Sequence, residues 1–200
     1  RLPAVANRWT QAATILPPTI EVCGRRLLPF CLRHRVALEA IGSPILLTHL
    51  DATAADILAA ARILSSHDLT ELRKPTTFSE GLWLAKMRWN KKALMTEAAK
   101  LHYYFEAQSL WPRFWEKSDS NNNSNGLPWP LAVVASLVRN GATLTEAWTM
   151  PEAEAVWLHI AHCAASGADI SVVSDQEWEA MEGYKAAESA KQEAKPNTRN

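Results

Sequence analysis

The sequence predicts a predominantly α-helical protein with a small N-terminal β-hairpin or extended arm and a helical C-terminal appendage. Three observations lead there. The 32 Ala and 23 Leu residues far outnumber the 7 Gly, a composition that suits helices better than a Gly-rich barrel or sandwich. Apolar residues recur at spacings of three and four through most of the chain, which is the period of one helix face. Helix start and stop signals punctuate those stretches. At 200 residues with 48% hydrophobic and 21% charged side chains, the chain can build one core, and it is neither collagen-like, wholly disordered nor a coiled-coil rod.

Taken in order, residues 1–18 read as an arm, because Pro3, Pro17 and Pro18 interrupt any long regular element. Residues 19–117 read as a helix-rich body. Thr19-Ile20-Glu21-Val22 alternates like a short strand, and Gly24-Arg25-Arg26 turns the chain toward Leu27-Leu28-Pro29-Phe30. A helix is expected from Leu32, burying Leu32, Val36, Ala37 and Ile41 while Arg33, Arg35 and Glu39 stay wet, and Gly42-Ser43-Pro44 stops it. A second helix follows Asp51 or Thr53 and packs Ile57, Leu58, Ala61 and Leu64. From Ser79 to Lys117 two helical pieces are expected with a break near Lys92 to Glu97. They bury the four-apart pairs Trp83/Met87 and Leu101/Phe105, and Pro112 stands in the first turn of a further helix.

Residues 118–126 read as a linker, because the Asn- and Ser-rich run Asp119 to Gly126 offers almost no apolar surface to offset the entropy of ordering. Residues 127–184 read as an acidic helical appendage. It starts with a helix over Leu131 to Arg139 that Asn140-Gly141 ends. Thr149-Met150-Pro151-Glu152 and Ser174-Asp175-Gln176-Glu177 match the capping-box pattern and predict two further helix starts. Residues 185–200, rich in Ala, Lys, Glu and Asn, read as a flexible tail.

Formal neutrality conceals a polarity. Residues 1–117 carry 16 Lys or Arg against 10 acidic residues, whereas 142–182 carry no Lys or Arg and eight acidic residues. The acidic segment either folds back on the basic body or steers a partner. No run approaches the roughly 18 apolar residues of a membrane span, and the N-terminal residues show no signal-peptide apolar core. A soluble protein with no membrane partner is therefore expected, with reduced thiols at Cys23, Cys31 and Cys163.

Chemistry-bearing patterns are sparse. His159, His162 and Cys163 share a helix at spacings of three and four, but no second ligand cluster accompanies them, so neither a metal nor a cofactor is expected. There is no phosphate-binding Gly loop and no nucleophile with an assigned base, so the chain is read as no enzyme. Arg25, Arg26, Arg33, His34 and Arg35 form the candidate anion-binding set, through which nucleic acid stays open as a partner. The nine Trp residues supply large apolar areas with polar edges, useful in a core or an interface. Trp148, Trp157 and Trp178, with Glu152, Glu154 and Glu179, are the candidate protein-binding residues: aromatic burial supplies affinity and exposed acids orient the encounter.

The order of motifs resembles a group of bacteriophage or prophage tail-region proteins of the tail assembly chaperone type. The resemblance rests on Leu27-Leu28-Pro29-Phe30-Cys31-Leu32-Arg33-His34, on Leu38-Glu39-Ala40-Ile41-Gly42-Ser43-Pro44, and on Asp51-Ala52-Thr53-Ala54-Ala55-Asp56-Ile57-Leu58. Further along it rests on Glu146-Ala147-Trp148-Thr149-Met150-Pro151 and on Gly167-Ala168-Asp169 after the Trp157 helix. It spans much of residues 19–182 and implies a non-catalytic role in tail assembly, in which the protein shields a tape-measure protein or contacts a tail-tube protein. The setting would be the host cytoplasm, with virion association and homo-oligomerisation open. A structural adaptor in the phage particle and a nucleic-acid-binding protein are the alternatives.

Overall fold

The computed structural model describes Trp9, Ala12 and residues 19–47, 52–114, 127–168, 170, 172–173 and 177–184. The expected linker at 118–126, the tail at 185–200 and most of the N-terminal arm lie outside the described residues. The fold is predominantly helical with a small N-terminal hairpin and a helical C-terminal segment. Strands β1 (Glu21–Val22) and β2 (Arg25–Arg26) pair antiparallel. Cys23 and Gly24 between them both take positive φ, 54° and 72°. That geometry turns a two-residue hairpin with the right-handed twist of its strands. The turn therefore sits one step before the expected one, and Arg25-Arg26 form the returning strand.

The extended stretch after the hairpin is held on several sides. Leu28 N–H donates to the Leu64 carbonyl at 2.8 Å, the Tyr104 hydroxyl donates to the Leu28 carbonyl at 2.6 Å, and Glu152 N–H donates to the Phe30 carbonyl at 2.7 Å. Helix α1 (Leu32–Ala40) starts from Cys31. Its buried face is Leu32, His34, Ala37 and Leu38, and Val36 and Ile41 are 38% and 46% exposed, contrary to expectation. The reason is that α1 is packed from two sides. Leu32 joins a cluster with Val133, Val134 and Leu137, while Ala37 and Leu38 join the larger cluster of Phe30, Ile57, Leu64 and Tyr104. The side of α1 left between these two contacts carries Val36, and neither Val36 nor Ile41 joins either cluster.

Gly42 ends α1 at φ +61°, and Ser43 N–H closes back on the Leu38 carbonyl. Pro44 then opens the short α2 (Pro44–Leu47). Helix α3 (Ala54–Leu64) starts from a Thr53–Asp56 capping box and buries all four residues expected of it. A 3₁₀ turn (Leu69–Arg73) leads to α4 (Phe78–Trp89), capped by a Thr77–Glu80 box, and α5 (Lys91–Gln108) follows. The break between α4 and α5 falls at Asn90, earlier than expected, because that one side chain accepts from Ala93 N–H and caps the second helix. Instead of opening a helix, Pro112 precedes β3 (Arg113–Phe114), which pairs antiparallel with β4 (Val172–Val173).

Helix α6 (Trp129–Arg139) ends at Asn140-Gly141, and α7 (Leu144–Thr149) begins with a Thr143–Glu146 capping box. The box expected at Thr149–Glu152 does not form. Thr149 closes α7, Pro151 stands at the N-cap of α8 (Glu152–Ala165) without a side-chain cap, and Glu152 is drawn to Arg35. Residues 177–184 are helical. No helix among the described residues is long and apolar enough to cross a membrane.

Candidate functional site

Among the described residues, a buried ion pair joins the acidic segment to the basic body. Arg35 Nη2 donates to Glu152 Oε2 at 3.0 Å, and Arg35 Nε donates to Oε1, so guanidinium and carboxylate meet fork to fork. The guanidinium carbon also lies 5.3 Å from the ring centre of Phe30, 5.2 Å from Trp111 and 5.3 Å from Trp129, within cation–π range. Glu152 is only 3% exposed. Burial pushes its carboxyl above the usual range, while Arg35 pulls it back. Glu152 is thus not the exposed steering charge expected of it, and Arg35 is not the wet cation expected of α1.

The other expected protein-binding residues divide. Trp157 is buried, with its indole N–H donating to the Leu110 carbonyl at 2.9 Å and its ring edge-on to Trp9. Trp148 is half-buried against the cluster around Leu137. Trp178 is half-buried beneath Arg113, whose guanidinium carbon is 5.1 Å from the ring centre. Glu154 is half-buried, and Glu179 is exposed.

The five expected anion-binding residues do not converge. Arg25 Nη2 donates to Glu80 Oε1 at 3.0 Å, Arg33 Nη1 donates to the His67 carbonyl at 3.1 Å, and Arg35 is held by Glu152. Arg26 is exposed on the hairpin, and His34 is fully buried. Glu80 organises the first of these contacts. Its carboxylate also accepts from Arg62 Nε at 2.9 Å and Nη2 at 2.5 Å, and from Thr77 N–H at 2.8 Å. These donors hold its pKa far below the ordinary carboxylate range, with Arg62 the main cause.

Two features escape a linear reading. The first is an exposed apolar stripe on α4: Phe78 is 90%, Leu82 65% and Trp89 87% exposed, and exposed Ala85 lies between them. Offsets of four, seven and eleven residues put these side chains within about 60° of one another around a helix. The opposite face carries buried Met87. Lys86, Arg88, Lys91 and Lys92 surround the Trp89 end with no acidic residue between positions 86 and 92. On the Met87 side of α4, away from the stripe, an open groove of about 620 Å³ runs between the start of α3 and the α4–α5 junction, bounded by Ala55, Leu84, Met87, Leu94 and Met95. The 3.6-residue period of Phe78, Leu82 and Trp89 was a signal available in the sequence, but it does not tell an exposed stripe from a core face.

The second is a cluster of Cys31, His34 and His67, each offering one ligand atom, with all three atoms within 4.8 Å of one another. Cys31 and His34 are fully buried, and His67 is half-buried in the turn after α3. Burial pushes the Cys31 thiol up to about 11. Burial, then the neighbouring His67, lowers His34 to about 4, against the opposing pull of the Ser66 and Pro29 carbonyls. The spacing of Cys31 and His34 is visible in the sequence, but His67 arrives only through the packing of α1 on α3. His159 and Cys163 also approach, at 3.8 Å.

No family model, curated protein or solved structure matches this chain.

Proposed function

We propose that this protein is a non-catalytic binding factor that uses the α4 stripe to hold an amphipathic, acid-flanked helical segment of another protein, and that the segment belongs to a phage tape-measure or tail-tube protein. The observation that carries the binding role is the exposure of Phe78, Leu82 and Trp89 in one line. A stripe at this spacing suits the apolar anchors of a partner helix, and such aromatic anchors supply most of the affinity of an interface. The cationic rim of Lys86, Arg88, Lys91 and Lys92 favours acidic residues beside those anchors. The tail-assembly part of the proposal is supported by the sequence resemblance alone. It covers both a transient assembly factor and a structural adaptor in the particle, and places the encounter in the host cytoplasm.

The same rim around Trp89 also suits single-stranded nucleic acid, where bases stack on an exposed ring. Phe78, three turns before Trp89, carries the apolar line beyond the reach of Arg88, Lys91 and Lys92, which favours a protein helix. The test is capture from the infected or prophage-bearing host with wild type and with a Phe78→Ser/Leu82→Gln/Trp89→Ser variant, followed by reconstitution with the purified tail protein. Enrichment of tape-measure or tail-tube protein by wild type, lost in the variant, is expected. Equal binding by both, or a steeply salt-dependent association with DNA or RNA in place of the tail protein, overturns the reading.

A further inference from the structure

From the juxtaposed Cys31, His34 and His67 we infer a zinc(II) site that ties the start of α1 to the turn after α3. Two observations beyond proximity point to a ligand. His34 Nδ1 and His67 Nε2 are both buried and have no hydrogen-bond partner. His34 Nε2 lies 3.2 Å from the Ser66 carbonyl. A carbonyl only accepts, so this contact places a proton on Nε2, and Nδ1, which has no partner at hydrogen-bond distance although the Pro29 carbonyl also acts on the ring, is the nitrogen open to a metal. A metal-bound histidine uses its second ring nitrogen in this way, donating to a carbonyl that fixes tautomer and orientation.

Leaving buried polar nitrogens unpaired carries a cost of desolvation, and one soft cation relieves it at both rings. The donor set, one thiol and two imidazoles, suits zinc(II). Tetrahedral zinc with its usual bond lengths needs these atoms about 3.4–3.6 Å apart. The trio must therefore close by no more than about 1.4 Å, and His67, half-buried on the turn after α3, is the least buried of the three. On binding, the Cys31 S–H bond breaks, the sulfur keeps the electron pair and donates it to the metal, and the proton leaves to solvent. A water would complete the four-coordinate shell. Arg33, which reaches the His67 carbonyl, opposes a dication electrostatically, and the Cys31 thiolate charge offsets it.

The test uses the full chain, reduced, stripped with a chelator and titrated with cobalt(II), then zinc(II). One equivalent of cobalt(II) is expected to give a thiolate-to-cobalt charge-transfer band with tetrahedral d–d bands, bleached by one equivalent of zinc(II). Cys31→Ala removes the charge-transfer band. His67→Gln weakens binding by at least about 100-fold, the upper end of what losing an outer-shell partner alone does. Cys163→Ala, which takes away the other thiol lying near an imidazole, leaves the spectrum unchanged. A wild-type protein with no thiolate band, a band that survives Cys31→Ala, or one that disappears with Cys163→Ala overturns the assignment. Should Cys31→Ala fail to fold, His67→Gln decides: unchanged affinity in that folded variant overturns it equally.

Discussion

Replacing Glu80 by Gln tests whether the ion-pair hub beneath the hairpin is structural. The Glu80 side chain is 6% exposed and that of Arg62 is 9%. The carboxylate accepts from both arginines and from Thr77, while Arg62 also donates to the Lys74 and Pro75 carbonyls. Removing one charge of a buried pair leaves the other uncompensated, at about 3–5 kcal/mol. Gln keeps the shape and one acceptor oxygen, so the expected loss at pH 7 is near the lower end, about 3 kcal/mol. The pH dependence follows from linkage. The folded carboxyl titrates far below its ordinary value of 4.5, so the unfolded chain binds the proton first as pH falls. The contribution is full above pH 4.5 and is lost below it, at about 1.4 kcal/mol per pH unit. The gap between wild type and Glu80→Gln should therefore close over about two pH units below 4.5. Urea unfolding of both proteins from pH 7 to pH 2.5 measures it. A gap under about 1 kcal/mol at neutral pH, or one that does not shrink in acid, would refute the argument.

The stripe variant Phe78→Ser/Leu82→Gln/Trp89→Ser should unfold within about 0.5 kcal/mol of wild type per site in urea, because these side chains are exposed. Leu64→Ala, at a fully buried position of α3, should cost about 2–5 kcal/mol by the same assay. Gly42→Ala should cost more than about 1 kcal/mol because φ there is +61°, with thermal unfolding as the readout. Arg35→Gln should raise the Glu152 carboxyl further, so its stability deficit at pH 7 narrows as the pH is lowered and Glu152 takes up a proton. A deficit that widens in acid would contradict that sign.

Helix existence was legible where apolar period and stop signals agreed, as in α3, whose four expected core residues are all buried. Caps show why boundaries were harder. Among the described residues, the pattern of Thr followed three residues later by Asp or Glu occurs at Thr53, Thr77, Thr143 and Thr149. The first three close reciprocal boxes. At Thr149 the acidic partner has a stronger use: Glu152 meets a guanidinium 117 positions away, and a buried fork of two charge-assisted bonds outweighs a local cap. No local rule contains that competitor. The Cys31–His34–His67 cluster is hidden for the same reason, since its third member is supplied by the turn after α3.

The charge polarity of the chain left two outcomes open, folding back or reaching out, and Arg35–Glu152 shows the first of them at one buried contact. That contact is aligned by backbone pairing as well as by charge: Glu152 N–H holds the Phe30 carbonyl, and Cys31 bridges Pro151. Helix α8 is therefore positioned before any partner arrives, with Trp157 inside and Trp178 under Arg113. An encounter surface built on Glu152 and Trp157 would have to expose groups already used in packing. The apolar line on α4 requires no such exchange, because Phe78, Leu82 and Trp89 lie open in the folded chain. Binding there would cost partner ordering and desolvation but no unfolding of the host, which is the physical ground for proposing an interface on the basic half of the molecule.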